Sequence, residues 1–182
     1  MELSGADLYG QPCRECGWSW ETTPADAVAY VRGLPALVEG LLAGRTGGER
    51  APGLGWSAGE YVCHVGDNLR LWAERVAGRL GGDDGVVGGY DPDELARARR
   101  YEQVRLAAAL WSLRRAAEDW VAVVEPALAQ GLVLTHATRG EQSAADVARN
   151  NAHDAHHHVW DIGCCLAGGE ASGVVSPNDD TR

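Results

Sequence analysis

The stretch "WSAGEYVCHVGDNLRLWAERVAGRL", residues 56–80, carries the pattern that decides the fold. Val62, Val65, Leu69, Trp72 and Val76 recur at alternating spacings of three and four, the stripe of a helix that buries one face. Ser57 and Glu60 form a capping-box pair that starts it, and the helix is expected to fade by Leu80. Beside the apolar stripe runs a second row, Tyr61, His64, Asn68 and Leu71, which turns an imidazole and an amide toward the interior.

Working outward, three more segments read as long helices. In "TTPADAVAYVRGLPALVEGLLAG" (22–44), Thr23 caps, Pro24 suits the first helical position and Asp26 completes the box. Pro35 lies inside this pattern and is expected to kink the helix rather than end it. A third helix is expected from about Glu102 to Val124, and a fourth from near Ser143, with Asp146 as capping partner, to about Ala167. No segment makes a convincing strand. The segment 81–101, "GGDDGVVGGYDPDELARARRY", holds a short helix after Asp91-Pro92 and is far longer than an antiparallel turn requires. Four helices without strands or repeats indicate an all-α four-helix bundle, and so long a connection permits the second and third helices to run parallel. The expected organisation is a single domain over 1–182, with 1–22 as an N-terminal arm and 168–182 as a loose tail.

The chain has 182 residues, 45 % of them hydrophobic, and a formal net charge of −10, with neither Phe nor Lys. This acidity argues against nucleic-acid phosphates or an anionic membrane as the main partner. The opening "MELSGADLYGQPCREC" has neither the basic start nor the apolar core of a leader, and no run reaches the roughly 18 apolar residues of a membrane span. A cytoplasmic protein, monomeric or homodimeric and acting on a small molecule, is the expectation. Five cysteines without a secretory context read as thiols or metal ligands rather than as a disulfide framework.

Four of the six histidines lie in "RNNAHDAHHHVWDIG", residues 149–163. His153 and His157 are four apart, point from one helix face and can bind one ion; Asp154 and His158 share the same spacing. His64 is placed to look into the bundle, whereas His136, in "VLTHATRGEQ", is expected at the surface of a loop.

Four segments together resemble the DinB-like (YfiT-like) family of metalloenzymes: "CRECGWSW" (13–20), "GWSAGEYVCHVGD" (55–67), "RRYEQ" (99–103) and "HDAHHHVWDIG" (153–163). The resemblance implies an up-down-down-up bundle and a divalent metal held by His64, His153 and His157, with the 153/157 register preferred over 154/158 because the HDAxHH spacing fits the family segment. Three imidazoles leave zinc one or two open positions, the arrangement of catalytic sites, and nickel or iron accepts the same donors. Asp67 and Asp161, near one turn beyond their histidines, are candidate orienters or substrate contacts, and Tyr61 a candidate rim residue with Trp72, Tyr101 and Trp160 around the cleft.

Members of the family add low-molecular-weight thiols to electrophiles or isomerise substrates with mycothiol. The expected function is therefore metal activation of a thiol such as mycothiol, or of water, toward a small organic substrate. Metal-dependent hydrolysis and a non-catalytic metal- or ligand-binding bundle are the alternatives. Cys13 and Cys16 read as inert thiols or a redox pair. A four-Cys site with Cys164 and Cys165 would need the arm to fold back along the bundle, which is not expected.

Overall fold

A computed structural model of the chain describes residues 5–171. Six α-helices follow in order: α1 (Gly5–Tyr9), α2 (Pro24–Leu41), α3 (Ala58–Leu80), α4 (Pro92–Arg99), α5 (Leu106–Ala129) and α6 (Ala144–Ala171). A single 3₁₀ turn, Tyr101–Gln103, precedes α5, and strands β1 (Val133–His136) and β2 (Gly140–Ser143) precede α6.

The expected caps are made. The Thr23 hydroxyl accepts from the Asp26 amide, Ser57 and Glu60 complete a reciprocal box, and the Ser143 hydroxyl accepts from the Asp146 amide at 3.2 Å. Asp91 caps α4 by accepting from the amides of Asp93 and Glu94. Pro35 and Pro126 sit inside α2 and α5, which continue past them.

Cross-links between helices define the direction of each. Near its start α3 meets the start of α5, since Gly47 touches both Gly59 and Leu106; seven residues on, Gly66 faces Leu113. These two helices are therefore parallel, and the long 81–105 connection climbs the length of the bundle to make them so. His64 and Asn68 meet His158 and Asp154, while the Cys165 thiol meets the Trp56 carbonyl, so α3 and α6 are antiparallel. Arg32 pairs with Glu125 and Glu39 with Arg114, which makes α2 and α5 antiparallel. Up-down-down-up is the result.

Glycine permits one close approach: a Cβ on Gly59 would lie 2.9 Å from the Gly47 carbonyl of the loop before α3. Val31, Leu34, Leu69, Leu113 and Ile162 are fully buried in the core, as is Trp120, whose indole N–H donates to Asn151 Oδ1 at 2.7 Å.

Three elements differ from the sequence reading. A β-hairpin forms at 133–143, where the segment is too short and polar to register as strand by periodicity. Because β1 pairs with both β2 and Val87 of the crossover, His136 is carried inward, stacked on Trp72 at 6.0 Å and buried rather than exposed. Helix α6 continues to Ala171 through residues expected to be a tail; the rest of that expected tail, 172–182, lies outside the described residues. The arm also folds back along α6, with Trp18 against His156 and the Arg149 guanidinium donating to the Thr22 carbonyl. Among the described residues, no helix is long and apolar enough to cross a membrane.

The Trp120–Asn151 bond supplies a direct test of this core. Replacing Trp120 by Phe opens a void and strands a buried amide, and it is expected to cost about 2–4 kcal/mol. Trp111, on the same helix but exposed, should tolerate Phe within about 0.5 kcal/mol. Urea unfolding of both variants measures the difference.

Candidate metal centre

Consecutive residues of an α-helix are rotated by about 100°, and along α6 this rotation divides the histidines into two groups. His64, Asp154 and His158 converge, each offering a donor atom within 4.8 Å of the others. Imidazole Nε2 of His64 lies 3.8 Å from one Asp154 oxygen and Nε2 of His158 lies 3.7 Å from the other. Both separations exceed a hydrogen bond, so these lone pairs and the carboxylate face one another without satisfying one another. That is the spacing of ligands around a shared cation, and a two-imidazole, one-carboxylate set suits a divalent metal.

The donors are held from behind. Asn68 Nδ2 donates to Asp154 Oδ2 at 2.7 Å, and Asn68 Oδ1 in turn accepts from the Tyr90 hydroxyl at 3.1 Å. Asp161 Oδ2 lies 2.7 Å from His158 Nδ1. A carboxylate only accepts, so the His158 hydrogen sits on Nδ1 and the lone pair on Nε2 is left for a metal. Burial opposes ionisation of Asp154, but the positive charge that the His158 and His64 rings carry when protonated, with the Asn68 amide, outweighs it and holds the carboxyl well below the usual range.

The cluster opens onto a cavity of about 400 Å³ lined by Trp56, Trp72, Tyr90, Arg75, His136 and Arg139. Arg75 is clamped over the Trp72 ring at 4.9 Å and tied to the Gly88 carbonyl at 2.6 Å. Burial, then the charges of Arg139 and Arg75, lower the pKa of His136 and keep it neutral. Its Nδ1 lies 3.3 Å from the Thr138 amide, an arrangement in which the ring hydrogen falls on Nε2.

Residues 19–162 match the family model of the DinB superfamily. The chain belongs to the DinB superfamily. YfiT from Bacillus subtilis, described as a probable metal-dependent hydrolase with an unusual four-helix bundle topology, superimposes with a TM-score of 0.70 over 82 % of this chain and 88 % of its own, at 15 % identity. No curated protein matches the sequence significantly.

Within this DinB bundle the expected ligands do not assemble as one set. His64 meets His158 and Asp154, whereas His153 and His157 lie together with Cys13 and Cys16, donor atoms again within 4.8 Å. His157 Nδ1 is 4.0 Å from Cys13 Sγ, and its Nε2 is 3.2 Å from Glu15. Tyr61 stacks on His158 at 5.2 Å; burial and the Asp161 charge push its hydroxyl up to about 12, so it stays a phenol at neutral pH. Asp161, expected to serve His157 one turn before it, instead meets His158 Nδ1.

Asp67 has a different task. It accepts from the buried Tyr101 hydroxyl at 2.7 Å and pairs with Arg70 and with Arg99 at 3.1 Å, pinning the crossover to α3 rather than reaching the donor cluster. Trp160 is 41 % exposed and touches His157 from outside. The residues that sequence reasoning missed are Arg75, Tyr90 and Arg139, together with the cavity role of His136. Tyr90 and Arg139 carry no local mark, because the crossover and the hairpin bring them in, and Arg75, on α3 one turn beyond Trp72, reads as an ordinary helix arginine; Asn68, one turn after His64, carried a signal.

Removing the Asp67 carboxylate strands the Tyr101 hydroxyl, so Asp67→Ala is expected to cost about 1–3 kcal/mol. Limited proteolysis should then cut the 81–105 crossover faster than in the parent protein, while the helices resist.

Proposed function

We propose that this DinB protein is a divalent-metal-dependent enzyme acting on a small acidic organic molecule, with His64, Asp154 and His158 as the metal ligands. One observation carries the reading: a convergent two-imidazole, one-carboxylate set opens on a cavity that also presents two guanidinium groups. A divalent cation there, zinc by preference, with nickel or iron(II) accepted by the same donors, polarises a substrate oxygen and acidifies a water or thiol.

The chain's own residues divide the remaining work. Arg75 and Arg139 recognise a carboxylate or similar anion, Arg75 being pre-positioned by Trp72, Tyr90 and the Gly88 carbonyl. Neutral His136 contributes a ring N–H to the same end of the cavity. Asp161 holds His158 in one tautomer, and Asn68 with Tyr90 fixes Asp154, so the donors need little rearrangement. The Trp56 ring, 4.9 Å from His64, covers the centre and limits bulk water.

Water is the first choice of nucleophile, giving hydrolysis of an ester, amide or related bond; the described activity of YfiT, which shares the fold, supports it. The second reading uses an external thiol of the mycothiol type for transfer or isomerisation. The cavity's volume of about 400 Å³, walled by Trp56, Trp72 and Tyr90, has room for a thiol beside a small acid and supports that alternative.

A panel of small carboxylate-bearing esters, amides and electrophiles, assayed with and without added thiol, separates the two. Chelation is expected to abolish turnover and metal to restore it, and His64→Ala, Asp154→Ala and His158→Ala should each lower kcat/KM by about 100-fold or more. Full turnover by the His158→Ala protein would sink this ligand set. Arg75→Ala and Arg139→Ala should raise KM about 10-fold for anionic substrates and leave neutral analogues little changed.

A further inference from the structure

We propose that Cys13, Cys16, His153 and His157 form a second metal site, a closed Cys₂His₂ zinc site that fastens the N-terminal arm to α6. It shares no residue with the His64 cluster, although two of its ligands adjoin Asp154 and His158 in sequence.

Three independent observations converge. The first is spacing: C-x₂-C in the arm and H-x₃-H on the helix are ligand intervals of Cys₂His₂ zinc sites. The second is geometry. All four donors lie within 4.8 Å of one another, and tetrahedral zinc sets its ligands about 3.3–3.8 Å apart, so closing by about 1 Å completes the shell. The third is burial: His153 is 5 % exposed and its Nε2 has no hydrogen-bond partner, while the buried Cys13 thiol forms no disulfide and has His157 Nδ1 beside it.

The local backbone is built for the task. The Cys13 carbonyl accepts from the Gly17 amide at 3.0 Å and the Cys13 amide donates to the Trp18 carbonyl at 2.8 Å, which curls 13–18 so that both thiols face α6. Gly17, with φ of +75°, supplies the turn. Glu15, beside His157 Nε2, accepts that ring's hydrogen and leaves Nδ1, the nitrogen beside Cys13, as the donor. Two thiolates and two neutral imidazoles cancel a dication, so the loaded site adds no net charge to a half-buried place; the two thiol protons leave to solvent on binding.

Four protein donors close the shell, which makes the role structural. The Tyr9 and Trp20 rings cover His153 at 4.7 and 4.5 Å, and the arm residues Gly5, Leu8 and Tyr9 share a small cleft with Arg139 and Asp154. Zinc at this second site thus holds the arm as a wall beside the first.

Cobalt(II) substitution of the full chain tests the proposal, because only a thiolate-ligated cobalt gives a strong near-ultraviolet charge-transfer band. The metal-free protein refilled with cobalt should take up two ions and show that band. Cys13→Ser and Cys16→Ser should lose the band and one ion, whereas His158→Ala should lose the other ion and keep the band. This arm distinguishes failure of the second site from failure of the enzyme reading. If the serine variants do not fold, titrating the wild-type zinc protein with an organic mercurial should release one zinc for two thiols modified. No thiolate band, zinc content unmoved by Cys13→Ser, or a Cys13–Cys16 disulfide in protein prepared anaerobically would each overturn the proposal.

Discussion

The 100° turn between adjacent helical residues is the constraint on which the rest of this molecule depends. On α6 it sends Asp154 and His158 toward α3 and His153 and His157 toward the arm, so two pairs that interleave in sequence serve different neighbours. Neither pair stands alone: one is joined by His64 from an antiparallel helix, the other by two cysteines from a folded-back arm. A slip of one residue in the packing of α6 would exchange their surroundings.

Such a polar seam is costly inside a bundle, and the surrounding structure offsets part of the cost, while His64 Nδ1, His153 Nε2 and His156 Nδ1 stay buried without a hydrogen-bond partner. Asn68 and Tyr90 satisfy Asp154, Asp161 satisfies one side of His158, and Trp120 satisfies Asn151 one layer away. The aliphatic residues that pack α3 on α5, with Gly66 against Leu113, hold the opposite side of α3, which leaves its His64 row free to face α6. The parallel α3–α5 arrangement has a consequence beyond packing: it requires a long crossover, and that crossover delivers Tyr90 to the site and Tyr101 to Asp67. The β-hairpin before α6 delivers His136 and Arg139 in the same way.

The four long helices and their Ser57, Thr23 and Ser143 starts are legible in the linear chain, as is, through the family resemblance, the up-down-down-up order. Helical periodicity and capping act within a few residues, and a linear reading captures them. Helical spacing also singles out His64 and the histidine segment as candidate donors, and it pairs Asp161 with His157, whereas the fold sets Asp161 against His158. Packing between helices sets His158 and Asp154, rather than His153 and His157, against His64. The i, i+4 rule accepts both pairs equally, and the choice depends on how α6 is rotated against α3. Tertiary packing likewise decided that His136 is buried, that Asp67 clamps the crossover, and that Cys13 and Cys16 reach α6. Each of these joins residues across large sequence separations, where the deciding energy lies in packing between elements rather than in any property of the local chain.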